Sequence, residues 1–524
     1  MKKLITLLLL IAVLFTSCSG DFNPKLPYEY SDDGTWEGIF SGFWHGMNEN
    51  YVFWDVDKTD WDNVYRTYLP LFKDLGKYEN DDEKNEKAAR YFYDIVTGLS
   101  DGHLSVTLNL EDDMFDGGIQ KFIIHPGLVR LAKGTGASDD EIFEAEYGTN
   151  ASIENILRFL PEEVMHEKTT QILTNDFGFS FFESNNSLKS VIKDNSKFIN
   201  AEGKTILLYS SRYPTGKTET RSWGEVTYYK TADIIGSEKN VNDYFSSWTL
   251  MIVLKNTLKD ATNPDGTHIY NTDIESIHFA GLSKAYENIP SDIVYMTFSD
   301  FFITGYIEDE ATKAGVYEYL SAFHDIKANP DAKGMIVDVR GNGGGYNRDR
   351  EYLFGDIMKE KQLFGYQKTK TGDNRLDFSA LLPVYVYPEA ETMADVYKDT
   401  DATHLYDKPF AVITNCFSVS NAEMTVFLAK SMPKGCQIGS TTFGGQGTLG
   451  SSFLELNAGQ FTVGKYISQV YTPFAQIVDI NGVSHEGKGC IPDIEVDFNK
   501  GDFQNGIDNR LQEAFEWVKT ESTP

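Results

Sequence analysis

Apolar side chains recur every three or four residues near the N-terminus of the chain. Residues 36–51 carry seven such side chains at this spacing, and residues 86–99 carry five. This period is typical of helices with one buried face. Residues 104–110 instead alternate apolar and polar side chains, which is the pattern of a strand. The pattern therefore predicts a small helical domain that leads into a strand.

A second clear pattern begins near residue 289. Short runs that are apolar on both faces alternate there with runs of helical period. The strand-like runs are 291–298, 333–340 and 408–414, and the helical runs are 315–326 and 421–432. Strands that are apolar on both faces are normally covered by helices on both sides, so we expect a buried α/β sheet. A last helix is predicted over residues 505–519, with its apolar side packed on the body.

These patterns divide the chain into consecutive segments. We predict a signal peptide at 1–17, a tether at 18–32, a helical domain at 33–110, a middle region at 111–288, an α/β core at 289–500 and a C-terminal helix at 501–524. The middle region has short strand-like runs between polar stretches and no clear motif. We expect it to contain a substrate-facing domain.

The N-terminus, MKKLITLLLLIAVLFTSC, has two lysines, an apolar stretch and then small polar residues. This is the pattern of an export signal. The end of it, LFTSC, resembles a bacterial lipoprotein signal, in which Cys18 becomes the lipidated N-terminus. A plain secretory peptide with an incidental cysteine is the alternative. Lipidation would place the protein in the cell envelope, in the periplasm or at the outer membrane, with the anchor as its contact with the membrane.

Charge and composition exclude several classes of partner and cofactor. The net charge of −31, from 78 acidic and 47 basic residues, argues against nucleic acid or anionic lipid as a partner. Cys416, Cys436 and Cys490 have no CxxC spacing, so we expect buried cysteines rather than disulfides or a zinc site. The chain also lacks an HExxH motif and a dinucleotide fingerprint. No metal or organic cofactor is therefore predicted, and the oligomeric state stays open.

Ser420 precedes the helical run NAEMTVFLAKSM. Glu423 three residues later completes a capping-box pattern, and Val419 and Met424 are placed as a hydrophobic staple. Helix capping alone would explain the serine. The same placement aims the hydroxyl at a helix N-terminus, which stabilises a developing anion. Ser420 is therefore either a cap, a nucleophile or both.

Three further short stretches carry candidate residues, and each is weak alone. Gly343–Gly345 follow a strand that ends in Arg340, so they suit either converging backbone N–H groups or a tight turn. His103 lies on a turn between the helical run and the strand, in LSDGH. Glu486 lies in a glycine-rich turn, NGVSHEGKGC, that alone would be a surface loop.

In combination these stretches resemble one family. The order DVRGNGGG, SVSNAE, GSTTFGGQGT and EGKGCIPDIEV resembles the tail-specific, or C-terminal processing, serine peptidases, particularly their tricorn-core branch. The resemblance covers about residues 33–108 and 289–500. It implies a crotonase-like α/β superhelical core, a helical N-terminal domain that contributes the histidine, and peptide or unfolded-protein substrates. Relatives often insert a peptide-binding PDZ domain, for which residues 111–288 have room.

The resemblance also implies roles for individual residues. Ser420 matches the nucleophile, and the N–H of Asn421 with that of Gly343 or Gly344 would form the oxyanion hole. The tail-specific branch has a lysine base in a TFGKGT segment, whereas this chain reads TFGGQGT, so a Ser–Lys dyad is not expected. The tricorn-type branch uses a histidine oriented by a glutamate, which match His103 and Glu486.

Two departures leave alternatives open. Gly102 stands where the tricorn type has a serine, and His485 is a rival base beside Glu486. Families with this core also contain non-hydrolytic members that bind hydrophobic ligands. A ligand-binding lipoprotein is therefore the alternative function, and a structural surface lipoprotein is a third.

Overall fold

The computed structural model describes about three fifths of the chain. The described residues are 29–30, 33–111, 118–148, 156–161, 163, 218–221, 224–227, 250–254, 293–298, 301–307, 320, 324, 327–388, 402–450, 459–499, 502 and 508–523. The predicted signal peptide with Cys18, most of the middle region and Ile507 lie outside these residues.

Three helices form the N-terminal domain. Helix α1 spans Trp36–Asn50, α2 spans Trp61–Asp74 and α3 spans Asp81–Val96. A polar residue precedes each helix, and its side chain accepts a backbone N–H of the first turn. These residues are Thr35, Asp60 and Asn80. Such caps satisfy N–H groups that have no partner within the helix.

Aromatic side chains fill the interior between these helices. Phe72 of α2 stacks on Phe40 of α1, with ring centroids 4.7 Å apart, and lies 4.8 Å from the ring of Phe92 on α3. All three side chains are almost fully buried. The apolar positions with helical period in the sequence are therefore the ones that pack.

A five-stranded sheet continues this core. It has the order β1–β13–β14–β2–β3, where the strands span Glu29–Tyr30 (β1), Ser105–Glu111 (β2), Ile119–Ile124 (β3), Phe461–Val463 (β13) and Ile467–Tyr471 (β14). The sheet thus pairs strands that follow the N-terminal helices with strands from the far end of the chain. Strand β1 lies within the predicted tether and pairs in parallel with β13. Helices α4 (Pro126–Gly134) and α5 (Asp139–Glu146) follow β3.

The main sheet has six strands. Its order is β16–β12–β11–β8–β7–β6, and the strands span Leu250–Leu254 (β6), Ile293–Phe298 (β7), Gly334–Asp338 (β8), Phe410–Thr414 (β11), Gly435–Gly439 (β12) and Ile494–Glu495 (β16). All neighbouring pairs are parallel except β6 with β7. Strands β8 and β11 are buried along their whole length, as their mostly apolar sequences predict.

Helices complete the main body. Short helices α6 (Ile303–Ile307) and α7 (Asp349–Phe354) come before and after β8 in the chain, and α8 spans Asn421–Ser431. The C-terminal helix α9, Asn509–Glu521, buries Leu511, Ala514, Phe515 and Val518, the side that the sequence pattern predicts. The mixed α/β content agrees with the predicted fold class.

Smaller elements flank the main body. Strands β9 (Gln362–Thr369), β10 (Leu382–Val386) and β15 (Ala475–Asp479) form an antiparallel sheet, and β4 (Thr218–Arg221) pairs with β5 (Gly224–Thr227). The possible PDZ domain falls mainly on residues outside the described part. Among the described helices, none is long and apolar enough to cross a bilayer.

Phe72→Ala should lower the free energy of unfolding by about 3–5 kcal/mol, because it removes the ring that joins all three helices and leaves a cavity. The adjacent Leu71, whose side chain is 37% exposed, offers the matched control. Leu71→Ala should change stability by no more than about 0.5 kcal/mol. Urea unfolding followed by tryptophan fluorescence measures both variants, and equal losses would contradict the packing described here.

Candidate active site

Ser420 lies at a sharp turn between strand β11 and helix α8. Its backbone has φ 59° and ψ −116°, and it is the one non-glycine residue with positive φ in the described part of the chain. A residue with a side chain adopts this conformation at a cost, and such strain is found mainly at functional sites. A strained strand-to-helix turn is also how α/β hydrolases expose a nucleophilic serine.

Gly344 lies directly against this turn. A Cβ atom on Gly344 would be 2.5 Å from the Cβ of Ser420 and 2.9 Å from the backbone N of Asn421. Gly344 also has a positive φ of 88°. Both the space and the conformation therefore require glycine here. The backbone bond from Val419 N–H to the carbonyl of Asn342, 2.9 Å, joins the two loops.

Two backbone N–H groups remain available beside Ser420. Those of Asn421 and Gly343 donate no hydrogen bond within the described residues, whereas that of Gly344 donates to Asn342 Oδ1 at 2.8 Å. Of the two glycines considered for an oxyanion hole, Gly343 is thus the one with a free donor. Asn421 is held by its side chain, which donates to the Tyr346 carbonyl at 2.7 Å and accepts from Arg350.

The buried carboxylate of Glu423 organises the turn and its surroundings. It accepts the N–H of Ser420 at 3.2 Å, the N–H groups of Gly444 and Gly445 at 3.0 and 2.9 Å, and side-chain donors of Thr442 and Gln446 at 2.5 and 2.9 Å. Burial raises the pKa of Glu423, and these hydrogen bonds oppose that shift. Ser420 and Glu423 also adopt the capping-box arrangement that the sequence pattern predicts. Capping of helix α8 and a nucleophilic role for Ser420 are not exclusive.

His103 lies on the turn that joins α3 to β2. The carboxylate of Asp101 accepts the N–H of His103 at 2.8 Å and that of Leu104 at 3.0 Å, which fixes the turn. Nδ1 of the ring is buried and has no hydrogen-bond partner in the described structure. Burial lowers the pKa of His103 to about 4. The imidazole is thus neutral at neutral pH, the form that can accept a proton.

Glu486 lies close to this turn and is buried. Its Oε1 accepts the N–H of Gly102 at 2.8 Å, and its Oε2 accepts those of Gln446 and Gly447 at 2.8 and 3.1 Å. A ring nitrogen of His103 and carboxylate oxygens of Glu486 and Asp101 lie within 4.8 Å of one another. Burial, and next the charge of Asp101, raise the pKa of Glu486 well above its usual range.

Gly445 connects the serine turn with the histidine turn. Its carbonyl accepts the N–H of Ser420 at 2.9 Å. A Cβ atom built on Gly445 would lie 3.4 Å from His103 Nδ1 and 3.4 Å from Val419 Cγ1. The structure thus brings His103, Ser420 and Glu486 to one place from three distant parts of the chain.

Gly102 packs on the same loop. A Cβ atom there would lie 2.4 Å from the carbonyl oxygen of Gly444 and 2.7 Å from the Cα of Gly445. The serine that the tricorn type has at this position would therefore not fit without a shift of the loop. The departure of Gly102 from the family pattern has a steric explanation.

His485, the rival base, is engaged elsewhere. Its Nε2 lies 3.0 Å from Asp479 Oδ2, and its ring packs 5.4 Å from that of Phe427. Gln446, which stands in the segment where the tail-specific branch has lysine, donates its amide to Glu423. Neither side chain has a described contact with Ser420.

Asp101 and Arg130 are charged residues of this site that the sequence interpretation missed. Asp101 is in the LSDGH stretch that contains His103, so its position was a usable signal. Burial lowers the pKa of Arg130, and the charges of Glu486 and Asp101 oppose that shift. Arg130 lies in helix α4, outside every motif, and only the fold reveals it.

The donor atoms of Asp101, His103 and Glu486 also converge closely enough to ask whether they hold a metal ion. Each carboxylate, however, already accepts at least two backbone N–H groups. These bonds suit an acid–histidine cluster, in which the carboxylates orient a ring. Cys436 and Cys490 are buried, as predicted, whereas Cys416 is only partly buried.

Comparison with known families decides the assignment. Residues 292–496 match the model of peptidase family S41, and residues 32–79 match the tricorn protease C1 domain. The chain carries a domain of peptidase family S41. Its members are serine peptidases, and the S41 match includes Ser420, Glu486 and the glycine turn, whereas His103 lies outside both matches. The predicted family is thereby confirmed.

Individual relatives are distant. The chain is 25% identical over 297 residues to a protein of Sulfurisphaera tokodaii described as a tricorn-like protease C-terminal subunit. That alignment covers 56% of this chain and 28% of the relative, so the chain spans little more than a quarter of it.

Two similar solved structures align with this chain over nearly the whole length of both chains. A protein of Parabacteroides merdae described as a peptidase is 16% identical, with coverage of 92% and 96% of the two chains and a TM-score of 0.47. Mature CPAF is 11% identical, with coverage of 94% and 98% and a TM-score of 0.49.

Gly102→Ala should lower the unfolding free energy by about 1–3 kcal/mol, because the added methyl group displaces the loop at Gly444 and Gly445. Gly134→Ala is the control, since a Cβ atom there meets nothing within 4 Å. That variant should be as stable as the wild type or slightly more stable. Differential scanning calorimetry compares the two, and an unchanged transition for Gly102→Ala would contradict the close approach.

Proposed function

We propose that this protein is a serine endopeptidase that hydrolyses peptide bonds through Ser420, His103 and Glu486. The observation that carries the proposal is the strained turn at Ser420, beside which the N–H groups of Asn421 and Gly343 donate no hydrogen bond in the described part of the chain. A serine that only capped a helix would need neither the strain nor the free donors. The core is proposed to be crotonase-like, in keeping with the mostly parallel main sheet.

In the first half of the reaction His103 acts as general base. It takes the hydroxyl proton while Ser420 Oγ attacks the peptide carbonyl carbon. The carbonyl oxygen becomes negatively charged and accepts hydrogen bonds from the N–H groups of Asn421 and Gly343, at the positive end of helix α8. Collapse of this intermediate breaks the C–N bond, and His103 gives its proton to the leaving amine.

In the second half water replaces the amine. His103 removes a proton from the water, which attacks the acyl carbon, and then returns a proton to Ser420 Oγ as the acid product leaves. Glu486 stabilises the imidazolium that forms in each half. Its carboxylate is not hydrogen-bonded to the ring in this structure, and such bonds commonly tighten only when substrate binds.

The substrates are proposed to be exported peptides or unfolded proteins, because the predicted signal places the chain outside the cytoplasm. The alternative is a ligand-binding protein that retains the peptidase fold. A binding protein would have no need for a neutral buried imidazole beside a strained serine. The peptidase is therefore the better supported function.

The test is mass spectrometry of a mixed-sequence peptide library incubated with the protein. Ser420→Ala and His103→Ala should each lower the cleavage rate by a factor of about 10³ or more, because removal of either member disables the attack. His485→Ala is the matched control for the histidine and should retain most of the wild-type rate. Loss of activity in His485→Ala but not in His103→Ala would exchange their roles.

A different result would favour the alternative function. If the wild type cleaves nothing while peptide or lipid copurifies with it, the binding protein is the better description. Ser420 would then be a strained turn residue without a nucleophilic role.

Cys18 is proposed as the site of lipidation, on the motif LFTSC alone. Cells labelled with radioactive palmitate should incorporate label into the wild type and not into Cys18→Ala, and the variant should move from the membrane to the soluble fraction. Label retained in Cys18→Ala, or absent from both, would leave a plain secretory signal.

A further inference from the structure

The backbone around His103 is held by two carboxylates rather than one. Three consecutive N–H groups, those of Gly102, His103 and Leu104, are accepted by Glu486, Asp101 and Asp101 in turn. The backbone of the His103 turn is thus held by hydrogen bonds to both carboxylates. Sequence and family patterns assign a role to Glu486 alone.

Asp101 is itself held by several hydrogen bonds. It is fully buried, its Oδ2 accepts the hydroxyl of Thr472 at 2.9 Å, and its own N–H donates to the Tyr51 hydroxyl at 3.2 Å. Thr472 follows strand β14, so the carboxylate ties the histidine turn to the five-stranded sheet. Small movements of the turn would break several of these bonds at once.

When Asp101 and Glu486 are both ionised, the charges around the cluster do not balance while the imidazole is neutral. Asp101 and Glu486 face Arg130, with Glu423 as a further carboxylate in the surroundings. Burial raises the pKa of Asp101 to about 7. Two buried carboxylates so close together destabilise each other's charged form, and a cation between them relieves this. The imidazolium of the transition state is such a cation.

We propose that Asp101 is a second positioning residue of the peptidase, which orients the His103 turn and, with Glu486, stabilises the protonated ring. The proposal rests on the proposed function, since it assigns Asp101 a part in the same reaction. Asp101 touches neither substrate nor the nucleophile and acts through His103.

Asp101→Asn is the informative variant, because it keeps an oxygen acceptor for the two N–H groups and removes the charge. We expect kcat to fall by about 10- to 100-fold with KM changed less than about twofold. The acid limb of the kcat/KM profile should move to lower pH by about one unit. The direction follows because Asp101, whose pKa burial raises to about 7, must be ionised to stabilise the imidazolium and no longer titrates in the variant.

Asp57→Asn is the matched control. Asp57 also accepts a backbone N–H, that of Ser100 at 2.8 Å, and the hydroxyl of Tyr51 at 2.9 Å, without contacting His103. The acid limb of the kcat/KM profile of the Asp57→Asn variant should coincide with that of the wild type. If Asp101→Asn does not fold, Asp101→Ser keeps an oxygen for the N–H of His103 and carries the same test.

A second readout does not require catalysis. In the Ser420→Ala background, the His103 ring signals followed by NMR should report the titration of Asp101 near pH 7, and this step should disappear when Asp101→Asn is added. Ring signals that Asp101→Asn leaves unchanged, together with an unmoved acid limb, would overturn the proposal and leave Asp101 a structural residue. An inactive wild type would refute the peptidase, while the ring signals would still decide whether Asp101 acts on His103.

Discussion

The site depends on one buried carboxylate, that of Glu423. It stands in the first turn of helix α8 and accepts hydrogen bonds from the serine turn and from the loop at 442–446. A buried charge without such partners would cost several kcal/mol. The five donors therefore have little freedom to move apart. The helix N-terminus adds a favourable field for the negative charge.

This anchoring matters because the site lies where two hydrophobic cores meet. Val419 and Phe443 pack into the core of the helical domain, whereas Ala422 and Met424 pack into the core beneath the main sheet. Ser420 lies between them in the chain. His103 belongs to the helical domain, and Ser420 follows a strand of the main sheet. The relative position of the two residues therefore depends on how the two cores pack together.

The sequence was informative wherever the determining contacts are local. Apolar side chains at helical spacing predicted α1, α3 and α9, because one face of each helix is buried. Mostly apolar runs predicted β8 and β11, because both faces of these strands are buried. The five-stranded sheet was not predicted, since its strands come from residues 29–30, 105–124 and 461–471 and each is short. Its pairing depends on contacts between residues hundreds of positions apart.

The same distinction holds for the site. Ser420, His103 and Glu486 were candidates because each stands in a recognisable stretch, although the sequence alone could not bring them together. The strained backbone of Ser420 was not predictable, because a capping pattern does not reveal that its first residue has a positive φ. Asp101 stands in the LSDGH stretch, yet no role for it was predicted from the sequence. That role depends on the N–H groups of residues 103 and 104, which both donate to its carboxylate in the folded chain.

Gln446 bears on why we propose a histidine as the base. Its amide donates to Glu423 Oε1 at 2.9 Å and completes the set of donors around that carboxylate. A lysine in this position would pair with Glu423 and be stabilised in its charged form, which cannot accept a proton from a serine hydroxyl. The neutral amide of Gln446 donates a hydrogen bond to Glu423 without adding a charge, and Glu423 continues to accept the N–H groups of the surrounding loops. In the proposed mechanism the proton is accepted by a group from outside this loop, and the neutral imidazole of His103, from the helical domain, is that group.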